Sequence, residues 1–257
     1  MVIVFDLNGT LLDTRALKPA LRSIFGPTLA TEQFVTGVLQ YSMALTLSGE
    51  YRAFSDIAVA VLRMEADSRK IKLSDRAVDQ TRAALRSMPP FRDVPGALRE
   101  LRNAGFRLAV LTNSAAEDVR AQLASANLSG YFEHVLSVAQ VRRFKPARET
   151  YESAANALGV PPHQILMVAA HPWDLIGAAA VGCRTAFIQR PGTALFPGAF
   201  TPTYVASDLA QLAVKLKPAG TPRESRILPV LAAAGALSLV VLTAGVMRSA
   251  SSNSSGN

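Results

Sequence analysis

Four short apolar runs constrain this chain more than any other feature. Val2–Phe5, residues 106–112, residues 164–169 and Arg184–Ile188 are aliphatic or β-branched and bounded by Gly, Pro or Asn, the pattern of buried strands too short to be helices. Helical patterns separate them. Residues 94–104 run into Gly105, residues 117–126 follow Asn113 and Ser114, and Arg148–Leu158 runs into Gly159, the usual helix terminator. Short strands alternating with helices predict a parallel sheet covered by helices. Residues 14–88 carry no comparable strand and predict several helices, with Pro89-Pro90 as the return to the sheet. The expected fold class is α/β with an inserted helical domain.

Composition narrows the functions available to such a fold. At 257 residues the chain is between one and two domains long, taking about 150 residues per domain. Its one cysteine, Cys183, excludes an intramolecular disulfide and a cysteine-ligated metal site. Hydrophobic residues at 49% against 18% charged exclude a disordered chain. Lys and Arg outnumber Asp and Glu by 27 to 19, a net charge of +8. The basic residues between 63 and 107 are strung out singly, as on solvated helix faces, with no interleaved aromatics and no zinc-finger spacing. No nucleic-acid partner is therefore expected, and the charge suits steering of a small anionic substrate.

The two ends differ. The first strand begins at once, without a basic leader or a cleavage-type site. Residues 227–247 carry no charge and as a helix would measure about 31 Å, the thickness of a bilayer core. A C-terminal transmembrane helix is expected there. Lys215, Lys217, Arg223 and Arg226 precede it and only Arg248 follows, which orients the folded part toward the cytoplasm.

In an open α/β sheet, reactive groups collect at the carboxyl ends of the strands. Asp6 ends the first run, Thr112 and Asn113 end the second, Asp174 lies just past the third, and Lys145 sits in the loop before residue 148. Singly, each has a structural explanation as a turn, a cap or a surface charge. Together they place two carboxylates, an ammonium, a hydroxyl and an amide at one edge of a sheet. A carboxylate there can act as a nucleophile.

These residues resemble the four ordered motifs of the haloacid dehalogenase superfamily: Asp6-x-Asn8-Gly9-Thr10, the Thr112-Asn113 strand end, Lys145-Pro146 followed by Tyr151, and Trp173-Asp174 after a buried strand. The resemblance covers about residues 1–210. Ala170-His171-Pro172-Trp173-Asp174 and the Gly49 to Phe54 stretch are most similar to the type II (S)-2-haloacid dehalogenase branch. It implies a Rossmann-like core of residues 1–14 and 91–215 and a helical cap of residues 15–90. The rest divides into a linker of residues 216–226, the transmembrane segment at 227–247 and a tail at 248–257. The resemblance further implies Asp6 as nucleophile, with Lys145 and Asp174 as catalytic partners. Asn8, Thr112, Asn113, Tyr151 and His171 become substrate-binding residues, no metal or cofactor is needed, and a homodimer is the implied assembly.

Several positions depart from the family pattern. Asn8 stands where the phosphatases of the superfamily carry a second Asp, and an amide cannot exchange protons near neutral pH. Ala170 removes a carboxylate that would hold magnesium. The halide-receiving cap arginine of the dehalogenases aligns with Leu45, and their serine and asparagine of the fourth motif with Ala169 and His171. Three readings follow. The first is a metal-independent hydrolase of the 2-haloacid type working through an ester on Asp6. The second is a divergent magnesium-dependent phosphatase. The third is a catalytically weak module tethered to a membrane.

Overall fold

The computed structural model describes residues 1–198 and 200–217. Its frame is a parallel sheet whose central strand is β1 (Val2–Phe5), fully buried because all four residues are apolar and flanked on both sides. On one side β1 pairs with β2 (Arg107–Thr112), which pairs with β3 (His134–Ser137); on the other it pairs with β4 (Ile165–Ala169), followed by β5 (Arg184–Ile188) and β6 (Tyr204–Ala206). Val4 stands opposite Ala109 and Met167 in the two registers. Each fully buried aliphatic side chain in this layer contributes about 1.5–3 kcal/mol.

The chain builds β2 and β3 on one side and then crosses to the other side of β1. That reversal leaves a crevice beyond the carboxyl end of β1, between β2 and β4, where an open sheet binds its ligands. β3 and β6 were not foreseen in the sequence. Both are edge strands of only three or four residues, too short to stand out as strands in the sequence, and their valines, Val135 and Val205, face solvent.

Between β1 and β2 the chain is helical: α1 (Lys18–Phe25), α2 (Thr31–Ser48), α3 (Phe54–Ser68) and α4 (Asp75–Arg86), ahead of α5 (Val94–Asn103) on the sheet. The outgoing and returning strands of this insertion are stitched together. Asp13 N–H donates to the Pro89 carbonyl at 2.8 Å and Phe91 N–H to the Leu11 carbonyl at 3.0 Å. The helices α6 (Ala116–Ser125), α7 (Arg148–Leu158), α8 (Pro172–Ala180) and α9 (Leu209–Leu216) complete the alternation.

One element of the expected fold class is corrected. Among the described residues no helix is long and apolar enough to cross a membrane. The longest, α2, carries Glu32, Gln33, Thr36 and Gln40 along its 18 residues. The described residues form an α/β parallel sheet with a helical insertion, and none of their helices is long and apolar enough to span a membrane. Residues 227–247, to which the span and the membrane anchoring were assigned, lie outside the described residues.

The loop that carries Lys145 is seated on α8 through Gly177. A Cβ on Gly177 would stand 2.6 Å from the Pro146 carbonyl oxygen and 2.7 Å from Tyr151 Cε2. Gly177→Ala should cost about 1–3 kcal/mol, as overpacking does. Urea unfolding checks this, and an unchanged midpoint would show that α8 and the Lys145 loop do not need that contact.

Candidate active site

Asp6 follows β1 directly, with its backbone N–H still paired to the Val168 carbonyl at 3.0 Å. Its side chain therefore projects from the end of the central strand into the crevice. Lys145 arrives from the loop before α7, held by its own N–H to Asn113 Oδ1 at 3.1 Å. Asp174 sits in the first turn of α8, where the helix N-terminus favours an anion.

The three form one buried ionic cluster. Lys145 Nζ donates to Asp6 Oδ1 at 3.1 Å and to Asp174 Oδ2 at 2.8 Å. Tyr151 Oη donates to Asp174 Oδ1 at 2.7 Å. Burial would raise the Asp6 carboxyl, but the Lys145 charge and the hydrogen bonds from His171 and Thr10 outweigh it and hold the group well below the usual carboxylate range. Burial would lower the Lys145 ammonium; the charges of Asp174 and Asp6 raise it instead. Asp174 is raised, by burial first and by the Asp6 charge, against the opposing pull of Lys145. Cys183, buried nearby, is pushed up to about 12 by burial and by the charge of Asp174, which leaves its thiol protonated and unreactive.

Asp6 forms part of the wall of a pocket between sheet and insertion. Its free volume is about 50 Å³. Asn8, Thr112, Asn113, His171 and Trp173 line it from the sheet side, and Phe34, Val35, Val38, Phe54, Ala58 and Met88 from the insertion. Thr112 Oγ1 accepts from Ser114 N–H at 3.2 Å, and Asn113 Oδ1 from Lys145 N–H, so the Thr112 hydroxyl hydrogen and the Asn113 amide hydrogens remain to donate. Asn8 is tied down, donating to Ser114 Oγ at 3.1 Å and accepting from Gln122 Nε2 at 3.2 Å.

Two expectations change at this point. Tyr151 does not line the pocket: it is buried against Asp174, donating to both its side chain and its carbonyl oxygen. Leu45 does not face Asp6 either; it packs beside Tyr41, Arg52 and Ile57 on another side of α2. The residues of α2 that reach the pocket include Phe34, Val35 and Val38, and no Arg or Lys lines it among the described residues.

Comparison with known proteins decides the family. Residues 1–182 match the description of a haloacid dehalogenase-like hydrolase. The chain belongs to the haloacid dehalogenase-like hydrolase family. It is 31% identical to haloacetate dehalogenase H-2 of Moraxella sp. (strain B), over 79% of this chain and 91% of that one. To the (S)-2-haloacid dehalogenase of Pseudomonas sp. (strain YL) it is also 31% identical, over 80% and 90%. Among solved structures, the L-2-haloacid dehalogenase from Xanthobacter autotrophicus superposes with a TM-score of 0.79 at 24% identity, covering 86% of this chain and all of that one, a likeness of fold alone.

Within this haloacid dehalogenase-like frame, three residues escaped the sequence reading. Thr10 lies within the first motif, four positions past Asp6, and donates to Asp6 Oδ2 at 2.7 Å. Gln122, on α6, bridges Asn8 and the Leu85 carbonyl. Arg190, just past β5, donates to the Thr10 carbonyl at 3.0 Å and pairs with Asp93 at 2.8 Å. Only Thr10 had a signal, its spacing from Asp6; the other two are brought in by the fold.

Lys145→Met should remove the cation and leave buried carboxylates facing each other. We expect a loss of about 3–5 kcal/mol at pH 8. In that variant the carboxyls titrate above their unfolded values, near about 3.9. The folded state then binds more protons than the unfolded one, and stability increases as pH falls toward 5. Urea melts at the two pH values check the sign; equal destabilisation at both would contradict it.

Proposed function

We propose that this chain is a metal-independent hydrolase that displaces halide from a short 2-haloacid by way of an ester on Asp6. A carboxylate kept ionised against a small apolar pocket is what attack on a carbon centre needs. The nucleophile stays charged, and the transferred group is held beside it. Lys145 holds Asp6 in its ionised form, while Asp174 and Tyr151 hold Lys145. The free hydrogens of Thr112 and Asn113 suit the carboxylate of the substrate.

The volume bounds the substrate. A free volume of about 50 Å³ admits only a short acid. That favours haloacetates and halopropionates, consistent with the names of the relatives, haloacetate dehalogenase and (S)-2-haloacid dehalogenase.

Two observations speak against the magnesium-dependent phosphatase reading. The Lys145 ammonium stands between Asp6 and Asp174, within 3.1 Å of both, in the space a bridging cation would take. Ala170 adds no oxygen ligand, and Asn8 has no proton to exchange with a leaving alcohol.

The deciding experiment measures halide release from chloroacetate, bromoacetate and (S)-2-chloropropionate by the full chain, with and without EDTA, beside phosphate release with magnesium. We expect halide release that survives EDTA and disappears in Asp6→Asn while the fold persists. Phosphate release that needs magnesium, with no halide released, would overturn the proposal. With no Arg or Lys on the pocket wall among the described residues to receive the departing halide, the rate should depend steeply on the leaving group, bromide leaving faster than chloride by an order of magnitude or more. Equal rates for the two halides would show that carbon–halogen cleavage does not limit turnover.

A further inference from the structure

The two oxygens of the Asp6 carboxylate are held differently. Oδ1 receives one donor, Lys145 Nζ at 3.1 Å. Oδ2 receives two, Thr10 Oγ1 at 2.7 Å and His171 Nδ1 at 3.0 Å. An ionised carboxylate only accepts, so Nδ1 carries the hydrogen. Two donors occupy both lone pairs of Oδ2, whereas Oδ1 keeps one free for attack.

Both donors are built in. The Thr10 hydroxyl accepts the Ala170 N–H at 2.9 Å, which turns its hydrogen toward Asp6. The Thr10 carbonyl is fixed by Arg190. The His171 imidazole stacks on Trp173, with centroids 5.2 Å apart and planes 27° from parallel. It reaches Asp6 only because residue 9 is glycine. A Cβ there would stand 2.8 Å from His171 Cε1 and 2.9 Å from Nε2, and the backbone φ of +80° also favours glycine. Asp174, by contrast, is fully buried with both oxygens engaged, so it orients Lys145 and presents nothing to the pocket.

We propose that Thr10 and His171 form an oxyanion hole for the second half of the reaction, hydrolysis of the ester on Asp6, which makes His171 a catalytic residue of this chain. The inference rests on the displacement chemistry proposed above. In the first step a lone pair of Oδ1 forms a bond to the α-carbon as the carbon–halogen bond breaks and halide leaves with its electrons. Oδ2 is then the ester carbonyl oxygen. Water adds to Cγ, the carbonyl π pair moves onto Oδ2, and the charge develops where two donors already stand at 2.7 and 3.0 Å, the spacing such a site requires. Collapse restores the Cγ–Oδ2 double bond and breaks Cγ–Oδ1. Oδ1 leaves as the hydroxyl oxygen of the 2-hydroxy acid and takes one proton of the water. The other proton passes to solvent, and the water oxygen stays in the Asp6 carboxylate.

The two half-reactions separate in the test. Full-length wild type, His171→Leu, His171→Asn and Thr10→Val are mixed with bromoacetate, and halide release and intact protein mass are followed from the first turnover. In His171→Leu and Thr10→Val we expect a burst of about one halide per chain, accumulation of a carboxymethyl ester on Asp6, and turnover slowed about 10²–10³-fold. His171→Asn, which retains an N–H donor, should recover most of the turnover. Wild-type turnover without adduct in His171→Leu would overturn the oxyanion hole and leave the dehalogenase reading intact. Loss of the burst in both apolar variants with unchanged circular dichroism would do the same, by placing the two residues in the first step. A wild type that forms no ester and releases no halide would overturn both.

Discussion

The site depends on one ammonium between two buried carboxylates. Lys145 Nζ lies 3.1 Å from Asp6 and 2.8 Å from Asp174, with all three side chains almost wholly out of solvent. Any one of these charges alone would be costly to bury, and their mutual attraction is what lets them share the end of a sheet. The surroundings are arranged to keep the ammonium in place: Gly177 allows the loop to lie on α8, Asn113 holds the Lys145 backbone, and Tyr151 anchors Asp174. Stability and chemistry therefore share a cause, because the group that neutralises the cluster also keeps the nucleophile ionised.

Around that cluster the polar groups divide their work by burial. Asp174 and Tyr151 are sealed beneath the pocket and act only through Lys145. Thr112, Asn113 and His171 border the pocket; Thr112 and Asn113 retain donors for what enters it, while His171 turns its Nδ1–H to Asp6. The insertion supplies an apolar roof, Phe34, Val38 and Phe54 among others, which keeps the dielectric low above Asp6. The pocket wall has donors for a substrate carboxylate and, among the described residues, no Arg or Lys for a halide, and that imbalance shapes the specificity proposed.

The departure at residue 171 is accommodated by residues that keep the family pattern. His171 in place of an amide needs space that only a glycine at residue 9 leaves, and the Thr10 hydroxyl is aimed by the backbone of Ala170. A change of side chain in the fourth motif is thus accommodated by the first, across the pairing of β1 with β4.

The sequence by itself determined the central strands, the helical insertion and the charged residues at the strand ends. Apolar runs of strand length cannot avoid burial; Asp6 follows one directly, Thr112 ends another, and Asp174 lies shortly past a third. It could not show β3 and β6, edge strands of only four and three residues, and it aligned the halide-receiving arginine with Leu45, which lies on a face of α2 turned away from the pocket. On an 18-residue helix a shift of one position rotates a side chain by about 100°, so the pocket-facing residues of α2 emerge only once the helix is packed. The expected membrane segment rests on the length, uncharged character and basic flanks of residues 227–247, and no described helix has that character. Which oxygen of Asp6 is free, which partner Tyr151 takes and which residue aims His171 were decided by the tertiary structure, because each depends on distances of about 3 Å between residues as many as 165 positions apart in the chain.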